Sequence, residues 1–231
     1  MKKIIILLLC FFVISSLPAE DVILTAEAFF QSVSEFYGTI TDYEAKMGII
    51  TGSSSMEASV SFKRPNLLRI DFSNPATQVI LFNGSQLTIY LPGSSAVLTQ
   101  TVSSEANAST GANLATPQGL TLMNRYYSIK YLSVKKIMQL EDPETVENPS
   151  DEMVVKLKLE RKNSTEGFRQ IILSINPDTK LIRRVEAVTT ANENFVFNFT
   201  EYALNQRIPD TRFIYDSPSS ANTYSNFLFS E

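Results

Sequence analysis

Between Ser61 and Pro92 apolar and polar residues trade places with a period of two. Leu68, Ile70 and Phe72 alternate with Arg69 and Asp71, and Leu87, Ile89 and Leu91 alternate with Gln86, Thr88 and Tyr90. An extended strand sends successive side chains to opposite sides, so each run has one apolar face and one polar face. Ser73-Asn74-Pro75 ends the first run, and Asn83-Gly84 separates Val79–Phe82 from the second. Asn-Gly predicts a type I′ hairpin turn, in which both central residues take positive φ. The stretch therefore reads as an antiparallel meander with one continuous apolar surface. Val79–Phe82 is apolar throughout, which leaves its facing open.

The same period governs the second half of the chain. Val155, Leu157 and Leu159 alternate with Lys156, Lys158 and Glu160; Ile171, Leu173 and Ile175 follow, and Asn176-Pro177-Asp178 turns the chain into Lys180–Thr190. Phe195, Phe197 and Phe199 form the last clear run. Thr39–Thr51, Met56–Lys63 and Ser128–Gln139 are also strand-like, and Arg212–Tyr215 reads as a final short strand. Helical spacing is scarcer. Asp21–Tyr37 sets Val22, Ala26, Phe29, Phe30, Val33, Phe36 and Tyr37 three to four residues apart, with Gly38 as its C′ terminator. Leu120–Tyr127 has room for one or two helical turns. Ser103–Gly119, rich in small polar residues, reads as a loop or loose helix crossing an opening, and Glu141–Glu152 as a solvated acidic loop.

About ten strands in one antiparallel sheet tend to curl. From the side that carries the charges, the inward positions are Val60, Phe62, Leu68, Ile70, Phe72, Leu87, Ile89, Leu91, Leu157, Leu173, Phe195, Phe197 and Phe199. One convincing helix is too little to cover them all. Either the sheet closes and fills its own interior, or it stays open and its concavity, roofed by movable helices, takes a hydrophobic ligand. Periodicity alone leaves both standing.

Composition narrows the chemistry. Lys2-Lys3, the apolar run Ile4–Ile14 and Ser15-Ser16-Leu17-Pro18-Ala19 have the layout of a secretory signal peptide, with cleavage expected after Ala19. The run is shorter than the about 20 residues of a membrane span. Cys10 lies inside it after Leu9, a poor lipidation site. The processed chain, residues 20–231, then loses two of the 20 Lys+Arg against 24 Asp+Glu, a net of −6. A net acidic chain without a basic cluster argues against nucleic acid. Removing Cys10 leaves no cysteine, so a single core must hold the domain without disulfides.

The chain has no histidine. The commonest general base and metal ligand are thus missing, and no D-x-D-x-D-G calcium loop replaces them. Ser133-Val134-Lys135-Lys136 fits S-x-x-K, but neither K-T-G nor S-D-N accompanies it. No catalytic residue, metal site or cofactor is nominated, and no enzyme is expected.

Phe62-Lys63-Arg64-Pro65-Asn66-Leu67, then Asn83-Gly84-Ser85-Gln86-Leu87 and Tyr90-x-Pro92, resemble the LolA family, periplasmic carriers of outer-membrane lipoproteins. Thr116-Pro117, Asn176-Pro177-Asp178 and the segment Pro209–Ser217 agree with it. The resemblance implies an α+β domain: a curved antiparallel sheet forming an incomplete β-barrel, with an N-terminal helix and a small helical lid. It implies acyl chains in the concavity and a lid that includes Leu114, Leu120, Leu122 and Met123. It also implies that Arg64 latches the lid through backbone carbonyls. Its implied partners are lipoprotein acyl chains, an inner-membrane ABC-type exporter and an outer-membrane acceptor, for a monomer without cofactor. A lipid-binding sensor or scaffold of the same architecture, one that keeps its ligand, is the alternative.

Overall fold

The computed structural model describes residues 24–101, 115–144 and 146–227. The expected signal peptide and the lid residue Leu114 lie outside them. The chain opens with helix α1 (Ala26–Thr39), followed by strands β1 (Asp42–Thr51), β2 (Ser54–Lys63), β3 (Leu67–Asn74), β4 (Val79–Asn83), β5 (Gln86–Leu91) and β6 (Ala96–Thr101). Helix α2 (Pro117–Tyr126) leads into β7 (Tyr127–Tyr131), β8 (Ile137–Gln139), β9 (Met153–Arg161), β10 (Phe168–Ile175), β11 (Ile182–Thr189) and β12 (Asn194–Leu204). A short β13 (Asn222–Ser225) ends the described chain.

All thirteen strands belong to one sheet, in the order β13-β6-β5-β4-β3-β2-β1-β12-β11-β10-β9-β7, with β8 also on β9. Pairing is antiparallel except at β13, which runs parallel to β6. The two ends of the order do not meet, so the curved sheet is open, as the resemblance implied. Both helices contribute to one large core with its inner face: Phe29, Phe30 and Val33 of α1, and Leu120 and Met123 of α2.

Several expectations shift in detail. Helix α1 starts at Ala26, where Thr25 Oγ1 accepts a hydrogen bond from the Ala28 N–H at 3.1 Å. It also runs through Gly38 to Thr39 before Ile40 leaves in an extended conformation, so Gly38 is not its terminator. The Asn83-Gly84 turn has positive φ at Gly84 alone, so it is not the I′ turn, which needs positive φ at both central residues. Asn83 Oδ1 accepts from the Ser85 and Gln86 N–H groups and closes it (3.2 and 2.9 Å). Ser128–Gln139 is two strands, because the chain leaves the sheet edge after Leu132, whose N–H still donates to the Lys156 carbonyl, and rejoins it at Ile137. Arg212–Tyr215 is no strand; Asp210–Phe213 is a 3-10 turn.

That turn explains the doubly apolar β4. Ile80 and Phe82 face inward, while Val79 and Leu81 face out and are buried by Ile208 and Phe213 of the C-terminal segment. Arg69 fastens the segment by donating to the carbonyls of Arg212 and Ile214 (3.1 and 3.0 Å). Asp71 bridges Arg69 and Arg212 at 2.9 and 2.5 Å. The acidic loop, too, is more than solvated charge: Glu141 pairs with Arg184 at 3.1 Å and Glu152 with Arg183 at 2.6 Å.

Candidate ligand-binding face and its lid

Strand register sets the apolar residues in rows across the sheet. Phe62 pairs with Leu68, Leu68 with Phe82 and Phe82 with Leu87; Val60, Ile70, Ile80 and Ile89 form the next row. On the other side of β1, Ile49, Phe197, Val185, Leu173 and Leu157 share a row. Phe199 pairs with Met47, and Phe195 with Ala187. Alternation along β3 and β5 puts Phe72 and Leu91 on this face as well. The residues assigned inward from the sequence therefore share one face of the sheet, the one against which the helices pack. Cover is uneven: Phe62, Leu157 and Leu173 are fully buried, whereas Leu87, Ile89, Leu91 and Phe195 are half-buried.

The lid is built by local rules. Thr116 caps α2, its Oγ1 accepting from the Gly119 N–H at 3.1 Å, and Pro117 occupies the first turn, where no N–H is needed. Lys162 closes the other end by donating from Nζ to the carbonyls of Asn124 and Arg125 (3.3 and 3.2 Å). Leu120 and Met123 point into the core, and Leu122 is half-buried.

Two side chains tie this lid to the sheet, and neither was singled out from the sequence. Tyr43 on β1 donates its phenolic O–H to the carbonyl of Ala115 at 3.0 Å in a buried setting. Gln118 Nε2 donates to the carbonyl of Pro65, in the turn between β2 and β3. Arg64 occupies that same turn. Its side chain is exposed and makes no hydrogen bond among the described residues; a methyl group on Gly38 would come within 4.0 Å of its Nη2. Its neighbour Lys63 turns outward to the Ile208 carbonyl (2.7 Å) and Asp210 (2.5 Å).

Three buried tyrosines bring polar groups into the interior, and buried Gln100, paired with Leu87, lies on the same face. Tyr43 packs against Phe62 and Tyr202, with ring centroids 5.4 and 5.6 Å apart. Tyr37 Oη accepts from the Ile182 N–H (3.0 Å), and Tyr202 donates to the Ile182 carbonyl (2.9 Å). Burial pushes the Tyr37 phenol up to about 12 and raises Tyr43 and Tyr202 as well. All three stay neutral at physiological pH, so the face beneath the lid is uncharged there. Among the described residues no cluster of carboxylate, histidine or cysteine side chains is placed to hold a metal ion.

Residues 52–140 match the sequence model of the family described as outer membrane lipoprotein carrier protein LolA. The matched segment contains β2 to β8, the lid helix, and the motif residues Lys63–Leu67 and Asn83–Leu87. No curated protein matches the sequence. Among solved structures, an uncharacterized conserved protein from Thermus thermophilus is similar with TM-score 0.53 and 12% identity, over 84% of this chain and 98% of that one. The MucA/MucB complex of Pseudomonas aeruginosa gives TM-score 0.50 and 11% identity, over 85% of this chain and 62% of that one. A LolA superfamily protein from Nitrosomonas europaea gives 13% identity over 83% and 98% of the chains, at a TM-score of 0.43 too loose to carry weight. At these identities the likeness is one of fold.

Proposed function

We propose that this protein is a periplasmic chaperone that shelters the acyl chains of lipoproteins on its concave face and carries them from the inner to the outer membrane. It is delivered by a signal peptide cleaved after Ala19, and the single domain of residues 20–231 works as a monomer. An inner-membrane ABC-type exporter loads it and an outer-membrane acceptor unloads it; the protein performs no chemistry of its own. The observation that carries this reading is the largely apolar face beneath a separate lid helix, one half of it in a segment that matches the carrier family.

Magnitudes favour a lid that yields to cargo. A chain of about 16 carbons costs roughly 13 kcal/mol to hold in water, at about 0.8 kcal/mol per methylene. Side chains of α1 and α2 now cover the face, so cargo must displace some of them. Withdrawing Leu120 and Met123 and breaking the Tyr43 and Gln118 hydrogen bonds costs about 4–9 kcal/mol. An acyl chain outweighs that cost, yet the surplus is small enough for release. Arg64, without a side-chain hydrogen bond among the described residues, is the group left to engage lid carbonyls or an acceptor once α2 has moved.

A second reading keeps the ligand in place, as a sensor or scaffold would. It draws on the fold likeness to MucB, which was solved with MucA bound. Two measurements separate the readings: binding of a fluorescent fatty acid, and release of a native lipoprotein from spheroplasts into solution. A carrier does both, a sensor only the first. No probe binding at all would remove both readings, and mass spectrometry of co-purifying lipids would identify the natural ligand.

A further inference from the structure

The edge strand beside β9 is interrupted. β7 and β8 pair with successive halves of β9; Leu132 still donates its N–H to the Lys156 carbonyl at 2.9 Å, and residues 133–136 bulge out between the two strands. The bulge and its flank read Leu132-Ser133-Val134-Lys135-Lys136-Ile137. Val134 is fully exposed, and Leu132 and Ile137 are 40% and 46% exposed. Three aliphatic side chains so close together in water are costly unless something covers them.

The surrounding charge says what that is. Lys135 has no ion-pair partner among the described residues. Lys136 donates only to the Leu24 carbonyl, at 3.3 Å, and lies 5.1 Å from the Tyr131 ring centroid. Lys130 is already paired with Glu160 at 2.6 Å. Glu27, in the first turn of α1, is the acid whose charge reaches Tyr131. On a chain of net charge −4, two lysines without an acid partner among the described residues thus stand beside the exposed aliphatic side chains. Aliphatic tips flanked by ammonium groups suit the boundary between anionic headgroups and acyl chains, where lysine stems lie along the apolar layer and their charges stay wet. A protein partner would more often be met by aromatic or arginine anchors, and the bulge has neither.

A second feature points the same way. The bulge touches Leu24, itself 38% exposed, where the described chain begins.

We propose that Leu132, Val134, Ile137 and Leu24, with Lys135 and Lys136, form a docking surface for an anionic bilayer. Val134 inserts among the acyl chains, and the two lysines bind headgroup phosphates.

The chain contains no tryptophan, which makes the test direct. Val134→Trp in the protein as isolated is expected to shift its emission to the blue on vesicles of equal parts phosphatidylglycerol and phosphatidylcholine. Vesicles of phosphatidylcholine alone are expected to leave it unchanged. Ile50→Trp, on the outward side of β1, is the control and is expected to stay unshifted on both. Adding K135Q and K136Q to the Val134→Trp variant is expected to weaken binding about 30-fold, at the worth of a lysine near an anionic surface. Salt above the about 0.1 M at which the Debye length is ~10 Å is expected to weaken it further. Should Val134→Trp misfold, Leu132→Trp gives the same readout. Vesicle binding without a shift at either tryptophan places the contact elsewhere and overturns the proposal, as does equal binding to both vesicle types. A fatty-acid probe bound normally in that case would leave the carrier reading standing.

Discussion

Removing one oxygen from Tyr43 is the sharpest test of the lid. Tyr43→Phe keeps the ring against Phe62 and Tyr202 but deletes the donor to the Ala115 carbonyl. Ala115 is buried, so its carbonyl loses this partner where water does not replace it. Such a loss costs about 1–3 kcal/mol, a factor of roughly 5–150 in the lid equilibrium. On the proposed reading the closed lid competes with cargo, and apparent affinity for a fatty-acid probe is then expected to rise by up to that factor. Amide exchange at Leu120 and Met123 is expected to quicken in step, while the melting temperature falls. A mere loss of core packing has a different signature, since it lowers stability without tightening binding. Unchanged or weaker probe affinity in the Phe variant refutes the assignment of Tyr43 to the lid.

Leu120→Ala empties a fully buried lid position and is expected to cost about 2–5 kcal/mol of lid closure; probe affinity should rise while Leu173→Ala, deep in the sheet, lowers the melting temperature further. Arg64→Leu is expected to leave lid exchange unchanged yet trap loaded carrier and block hand-off to the acceptor in a reconstituted transfer assay; normal delivery would remove Arg64 from the mechanism. On the outer face, burial raises the Asp71 carboxyl pKa, but hydrogen bonds from Arg69 and Arg212 outweigh it and leave the value below its usual range. Its stabilisation is thus fully present above pH about 4 and lost as pH falls through the lower folded value. Asp71→Asn is expected to flatten the fall in melting temperature below pH 4 and to cost on the order of 1–2 kcal/mol near neutrality.

Much of the concave face was legible because the side-chain period of a strand is local. Leu68, Ile70 and Phe72 declare their shared side without reference to the rest of the chain, and the same holds for Phe195, Phe197 and Phe199. Helix α2 announced itself less clearly, since Thr116 and Pro117 read as loop until their capping and first-turn roles are seen together. The turn Lys63–Leu67 marked the family likeness, yet the contact it makes with the lid runs through the Pro65 carbonyl, which no side-chain pattern encodes.

What the chain's own pattern determined was which residues share a face, because alternation follows from the geometry of one extended segment. Only tertiary structure decided what covers each face. Tyr43 meets Ala115 across 72 positions, Gln118 meets Pro65 across 53, and Arg69 meets Arg212 across 143. Such pairs leave no periodic trace, since each depends on where the curvature of the whole sheet brings distant backbone carbonyls. For the same reason β4 looked ambiguous until the C-terminal segment crossed its outer side, and the bulge at 133–136 looked like strand until β9 supplied two separate pairings.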